Sequence, residues 1–517
     1  MKKILSIIAA SLVLSSCAGD YLDTTPQSSV STSTILESTE NAALAINGIC
    51  RLMARQYLST QGYNGEGTIK TYFGNYPGND FHRCNLTAGV RIINGNNMET
   101  NTSIYDYYPW FYYYKLISNA NAIICNIDGA TGTDAERAFI KAQALTFRAY
   151  SYFMLSQLYC YRWADSADGS SRGLPLRLDQ STGDLDASTL GEVYSQVYAD
   201  LDNAISLYTS SGLDRDADDN YSPNLSVAYA TYARAALTRE DWTTAARYAA
   251  LAREGYTLMS NDDYVDSGFN TPNDEWIWSC YSASDQPLGF YAFFAYQGSN
   301  SSSSTCRNYA CAISKELIDR IPETDVRRQM YLIPTEDEEG TFSTATSRAT
   351  SGALYTRAKT DYADKLYSTS LIYAYMQFKF QASEQPGFGH VLNFRAAEMY
   401  FIEAEALCHI GGRDAEVQAL LLELNNTSGR DPEYACSKTG DELLEEVKLY
   451  RRFDLWGEGF DWFDYKRWNQ PIERHTFADG GSFHTQFAVT IDTSANNHWT
   501  WVYPEQETDY NDALSGL

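Results

Sequence analysis

The sequence is short of the spacings that most catalytic chemistries need. It holds no HExxH pair for a zinc hydrolase, no GxxxxGK[ST] loop to cradle phosphates and no GxSxG nucleophile turn. Its six histidines stand isolated, and His409 falls near an expected helix C-terminus, where a cation suits the helix dipole without implying a metal. No CxxC pair occurs among the ten scattered cysteines. Cys50, Cys125, Cys160 and Cys408 lie in apolar helical stretches, where cysteine acts as a small hydrophobe. Cys306 and Cys311 could close a small loop, which spacing alone leaves open. Positive charge is also scarce: 39 Lys and Arg face 66 Asp and Glu, a net charge of −27. Such a surface repels phosphate backbones and anionic lipids, which argues against a nucleic-acid partner. The acidic run 214–220 mimics the start of a calcium loop, but Asp219 stands where its glycine belongs and Leu225 where its bidentate Glu belongs. No cofactor, metal or catalytic set is expected.

Long apolar runs are missing too. The longest near the N-terminus, Ile4 to Leu14, is too short to span a bilayer and follows Lys2 and Lys3, the pattern of a secretion signal. It ends in Leu14-Ser15-Ser16-Cys17, the form of a bacterial lipobox, in which Cys17 becomes the acylated first residue. A plain cleaved signal with an incidental cysteine is the competing reading. Acyl chains contribute about 0.8 kcal/mol per buried CH₂, so a multiply acylated Cys17 anchors a soluble body durably. The expected division is a signal at 1–16, a lipidated Cys and tether at 17–37, and one body over 38–517.

What the chain does have is aromatic and helical. It contains 40 Tyr, 22 Phe and 10 Trp. Helical spacing of apolar residues predicts helices over 38–58, 107–127, 135–163, 190–208, 391–409, 413–424 and 440–455. The clearest pair lies in 224–254, where Ala230, Ala233 and Leu237 face Ala245, Ala249 and Ala252 across a turn at Arg239–Asp241. Small residues on facing sides let two helices approach closely, the logic of a tetratricopeptide-like hairpin. The fold class is therefore mostly α, a tetratricopeptide-like helix-pair scaffold of about four pairs at about 38–60, 105–260 and 391–468. Irregular insertions with small β pieces interrupt it at about 61–101 and 262–385, with strands expected at Trp276–Trp278 and over 371–380.

Residues 451–468, RRFDLWGEGFDWFDYKRW, hold Trp456, Phe460, Trp462, Phe463 and Trp468 among eight charged side chains. So many rings must be mostly buried, and their charges must then be paired. The expectation is a buried ion-pair knot that locks the last third of the chain. Glu458, Gly459, Trp462, Phe463, Asp464, Arg467 and Trp468 resemble the EGxRWFDLxRW signature of the SusD/RagB family, lipid-anchored nutrient-binding proteins of Bacteroidetes outer membranes. Residues 18–26 (AGDYLDTTP), AQALTFRAYSYFML within 135–163, the turn Gly173–Leu176 and FRAAEMYFIEAEAL within 391–409 are similar to further family motifs in the same order.

The resemblance implies a non-enzymatic, cell-surface glycan-binding lipoprotein that passes oligosaccharide to a SusC-like TonB-dependent outer-membrane transporter. A RagB-like peptide binder is the alternative, and a helical-toroid glycoside hydrolase is the competing class. The hydrolase needs paired carboxylates. Glu398, Glu403 and Glu405 are the obvious acidic group, but they share one helix and could flank no cleft. Family ligands bind at the two insertions, where flat rings beside hydrogen-bonding groups suit the apolar faces and polar rims of sugars. The candidate ligand residues are Tyr72, Asn75, Tyr76, Asp80, Phe81 and Arg83 in the first, with Tyr291, Phe294, Tyr296, Arg307 and Tyr309 in the second. For each ring, burial in the core is the competing reading.

Overall fold

The apolar stripes of the sequence become helices in the computed structural model, which describes residues 36–55, 63–85, 89–266, 268–284 and 289–515. The long helices are α1 (Thr39–Leu52), α2 (Ile104–Asn126), α3 (Asp134–Tyr159), α4 (Leu190–Ser211), α5 (Leu225–Thr238), α6 (Trp242–Ala252), α7 (Ala396–Ile410), α8 (Asp414–Leu422), α9 (Gly440–Asp454) and α10 (Asp461–Trp468). From α2 to α8 each packs on the next, α6 meeting α7 across the second insertion, and α9 packs on α7. The starts are chemically marked. Thr133 and Glu136 close a capping box on α3, and Thr189 and Glu192 close another on α4. Asn224 and Asp241 cap α5 and α6 by accepting the N–H of Val227 and Thr244. Ala230, Ala233, Ala245, Ala249 and Ala252 of this pair are buried, as close packing of two helices requires. No helix of the described residues is long and apolar enough to cross a membrane.

Strands are few and short. β1 (Phe81–Arg83) pairs antiparallel with β3 (Cys311–Ile313), with Arg83 opposite Cys311. β2 (Trp276–Cys280) pairs antiparallel with β4 (Val391–Arg395). Two expectations need correction. The helix expected from residue 391 starts at Ala396, because Val391–Arg395 is drawn into a ladder with the Trp276 strand. The strand expected over 371–380 is broken into Ile372–Tyr373 and isolated bridges at Met376 and Gln377. Tyr375 has φ of 63°, a left-handed conformation that no continuous strand accepts.

The aromatic, charged stretch after α9 is a buried ion-pair knot, as its composition required. Arg395 at the end of β4 donates to Glu275 at 2.7 Å, to Asp454 at 2.5 Å and to Glu458 at 2.9 Å. Lys379 donates to Glu458 at 2.6 Å, and Arg327 bridges Asp325 and Asp454. Burial alone raises a carboxyl, but Arg395 and Arg327 outweigh it and hold Asp454 well below the usual carboxylate range. A second knot joins Arg451 to Asp464 at 2.7 Å and Arg467 to Asp464 and Glu405, while the Trp468 indole donates to Glu405 at 2.8 Å. The first knot ties the second insertion to the scaffold. The first insertion lies directly on the same stretch: a Cβ on Gly74 would meet the Gly459 carbonyl at 2.1 Å, so only glycine fits there.

Candidate functional site

The two insertions converge on a group of tyrosines. A short helix, Gly65–Thr68, continues through the wider turn Ile69–Asn75, and this brings Tyr72 to the surface edge of the first insertion. From the second, the helical turn Phe293–Gln297 presents Tyr296, and the ladder between β1 and β3 holds both segments in register. The Tyr72 ring centre lies 5.8 Å from Tyr296, 5.8 Å from Tyr105, 6.0 Å from Tyr63 and 5.2 Å from Tyr76. These are edge and tilted contacts of the favourable kind. Tyr72, Tyr105, Tyr291 and Tyr296 are half-buried, so each presents part of a ring outward. Phe290, next to Tyr291 in the chain, is 55% exposed. The Tyr72 hydroxyl interacts with that of Tyr296, and the Tyr63 hydroxyl with that of Tyr105. Burial, reinforced by Tyr296, pushes the Tyr72 hydroxyl well above its ordinary value, so it stays a neutral donor and acceptor.

Six of the sequence candidates are interior residues, and burial withdraws them from direct contact with a ligand. Asn75 donates to the Gly457 carbonyl at 2.7 Å and accepts the Gly459 N–H at 2.9 Å. Asp80 takes both prongs of Arg452, at 2.6 and 2.7 Å. Phe81 stacks on Trp456, and Tyr76 and Phe294 are core residues. Arg83 is buried and donates to the Tyr296 carbonyl at 2.5 Å and to Cys311 Sγ at 2.8 Å. Its tie to Tyr296 positions the patch from beneath. Of the rest, Arg307 and Tyr309 are half-buried, with Arg307 committed to the Ser302 carbonyl and Thr369. Tyr72, Tyr291 and Tyr296 remain at the surface, joined by the half-buried Tyr105 and backed by the buried Tyr63, two residues that sequence reasoning missed. The available cue was that Tyr105 stands off the buried stripe of α2 formed by Trp110, Ile117 and Ala120. Cys17 lies outside the described residues.

The acidic group on α7 is fully engaged. Glu398 takes a bidentate contact from Arg234 at 2.7 Å, Glu403 pairs with Arg253 at 2.8 Å, and Glu405 belongs to the Arg467 knot. Cys306 and Cys311 are free thiols whose Sγ atoms face the Ala295 and Tyr296 carbonyls. Among the described residues no His, Cys, Asp and Glu cluster could hold a metal ion. In the acidic run, Asp219 instead accepts the N–H groups of Tyr221 and Ser222.

Fold and site together describe a helical-repeat scaffold with an aromatic surface where its two insertions meet. A family model described as the SusD family matches residues 242–515, and one described as starch-binding and associating with the outer membrane matches residues 20–237. The chain belongs to the SusD family. It is similar in structure to a SusD-like carbohydrate binding protein from Bacteroides vulgatus, at 23% identity and a TM-score of 0.74, over 92% of this chain and 97% of that one. A SusD superfamily protein from Bacteroides thetaiotaomicron matches at 21% identity and a TM-score of 0.72, over 92% and 98%. At these identities the likeness concerns the fold. Among curated proteins none matches the chain.

Proposed function

We propose that this protein binds a glycan at the tyrosine patch and passes it to a SusC-like TonB-dependent outer-membrane transporter, working as a lipoprotein anchored through Cys17 at the cell surface. The observation that carries the reading is the meeting of Tyr72 with Tyr296, which builds one aromatic surface from both insertions in a chain of the SusD family. Half-exposed rings offer flat faces to sugar C–H groups, and their neutral hydroxyls offer hydrogen bonds at the rim. The proposed ligand-contacting residues are Tyr72, Tyr105, Phe290, Tyr291 and Tyr296, with Arg83 and Asn75 as supports. Binding without catalysis is supported by the engagement of Glu398, Glu403 and Glu405 with arginines, which leaves no free acid and base on α7.

The test is a binding screen of the protein released from its anchor against polysaccharides, oligosaccharides and peptides, with product analysis of every binder. Retention of a glycan intact, weakened by Tyr72→Ala, is the expected result. Cleavage products would replace the reading with a hydrolase, and binding to peptides alone would replace it with a peptide carrier.

A further inference from the structure

Beneath the knot, and apart from the tyrosine patch, three cationic groups converge on one ring. The Lys70 Nζ lies 5.6 Å from the Phe460 ring centre, and the guanidinium carbons of Arg234 and Arg451 lie 5.0 Å from it. All three line a largely enclosed cavity of about 30 Å³, together with Arg467, Glu66 and Asp464. The acidic groups there are already used. Asp464 accepts from Arg451 and Arg467, while Glu66 accepts the hydroxyls of Tyr112, Tyr113 and Tyr150 at 3.1, 3.4 and 2.9 Å. Among the described residues the donors are not matched. Arg451 is 2% exposed, reaches Asp464 through Nε, and leaves Nη1 buried without an acceptor. Among the described residues the one hydrogen bond of the Lys70 ammonium goes to the Glu458 carbonyl, at 3.1 Å. Arg234 commits Nε and Nη2 to Glu398.

A buried charged donor needs a compensating acceptor. We infer that this cavity is a binding site for one small monovalent anion of halide size, held by Arg451 Nη1 and the Lys70 ammonium with Arg234 alongside. The volume is room for one or two water-sized occupants, which excludes sulfate and phosphate. A water could satisfy one or two of these donors but brings no charge to Lys70, the one of the four cationic side chains that pairs directly with no carboxylate among the described residues. Burial, followed by the nearby Arg234, lowers the Lys70 ammonium below its ordinary value, against the pull of Glu66, Glu458 and Glu398. The cavity lies where the first insertion, α3, α5 and the knot meet, so a bound anion would join all four and its loss would loosen them together.

Crystals grown in sodium bromide, measured at the bromine absorption edge, decide the matter. The expected result is an anomalous peak in the cavity within hydrogen-bond distance of Arg451 Nη1; a site holding only water overturns the proposal. In solution, replacing gluconate by chloride at equal ionic strength should raise the Tm by about 2 °C. Arg451→Met should abolish that gain, and Lys70→Met serves the same comparison if the first variant does not fold. A chloride gain that persists in both variants places the halide elsewhere and overturns the assignment.

Discussion

Tyr72 and Asn75 are three residues apart in one helical turn, yet one meets solvent and the other is buried against the Gly457 and Gly459 backbone. That difference sets opposite expectations. Tyr72→Ala and Tyr296→Ala should each weaken glycan binding about tenfold, or about 1.4 kcal/mol by calorimetric titration, while leaving the Tm nearly unchanged. Asn75→Ala should instead lower stability by about 2 kcal/mol, read from the urea midpoint, because it leaves a buried carbonyl and a buried N–H unsatisfied. Glu458→Gln should cost more, about 3–5 kcal/mol, since Lys379 and Arg395 would then share a buried site with one carboxylate fewer. None of these roles is visible in residue type. Asn beside Tyr reads equally well as a sugar ligand or a backbone clamp.

At the scale of elements, local pattern and long-range pairing competed. The α5–α6 hairpin was legible because its alanine spacing, its Asn224 and Asp241 caps and its turn all agree within one short span. The segment Val391–Arg395 was misjudged as helix because Phe394 continues the apolar stripe of α7 in register, and only a partner more than a hundred residues earlier makes it a strand. The knot was legible in kind from 451–468, since buried rings force charges to pair, but its partners Arg327, Lys379 and Arg395 belong to distant segments. Gly459 marks the junction. With φ of 93° and a Cβ that would come 2.7 Å from Lys70, Gly459→Ala should destabilise the protein and raise amide exchange in the first insertion, measured by hydrogen exchange.

Across the whole molecule, two buried carboxyls, Glu405 and Asp461, show opposite pH behaviour. Burial raises Glu405, but Arg467 outweighs it and holds the group down to about 2 against an ordinary 4.5. Its stabilisation is complete above pH 4.5 and lost as pH falls towards 2, a contribution of about 3 kcal/mol. Asp461 is the reverse, raised to about 7 by burial and by the Asp80 charge. The folded state therefore favours its protonated form, and that stabilisation is lost as pH rises through 7. Asp461→Asn should gain stability relative to the parent between pH 5 and 8, tracked by urea midpoints at each pH. A constant difference across that range would remove Asp461 from the account. In this comparison the other buried titrating groups are common to both proteins.

The sequence by itself determined the helical class, the hairpin of 224–254, the burial and charge pairing of 451–468, and the resemblance that placed the chain in its family. All of these follow from local periodicity, or from the cost of leaving rings in water and charges unpaired. Only the tertiary structure decided which aromatic residues are surface and which are core. Ring type is the same in Tyr72 and Tyr76, and the two insertions carry no periodicity to separate an inner face from an outer one. Their exposure is fixed by tertiary packing: Arg83 and Phe81 around Tyr76, and solvent over part of Tyr72.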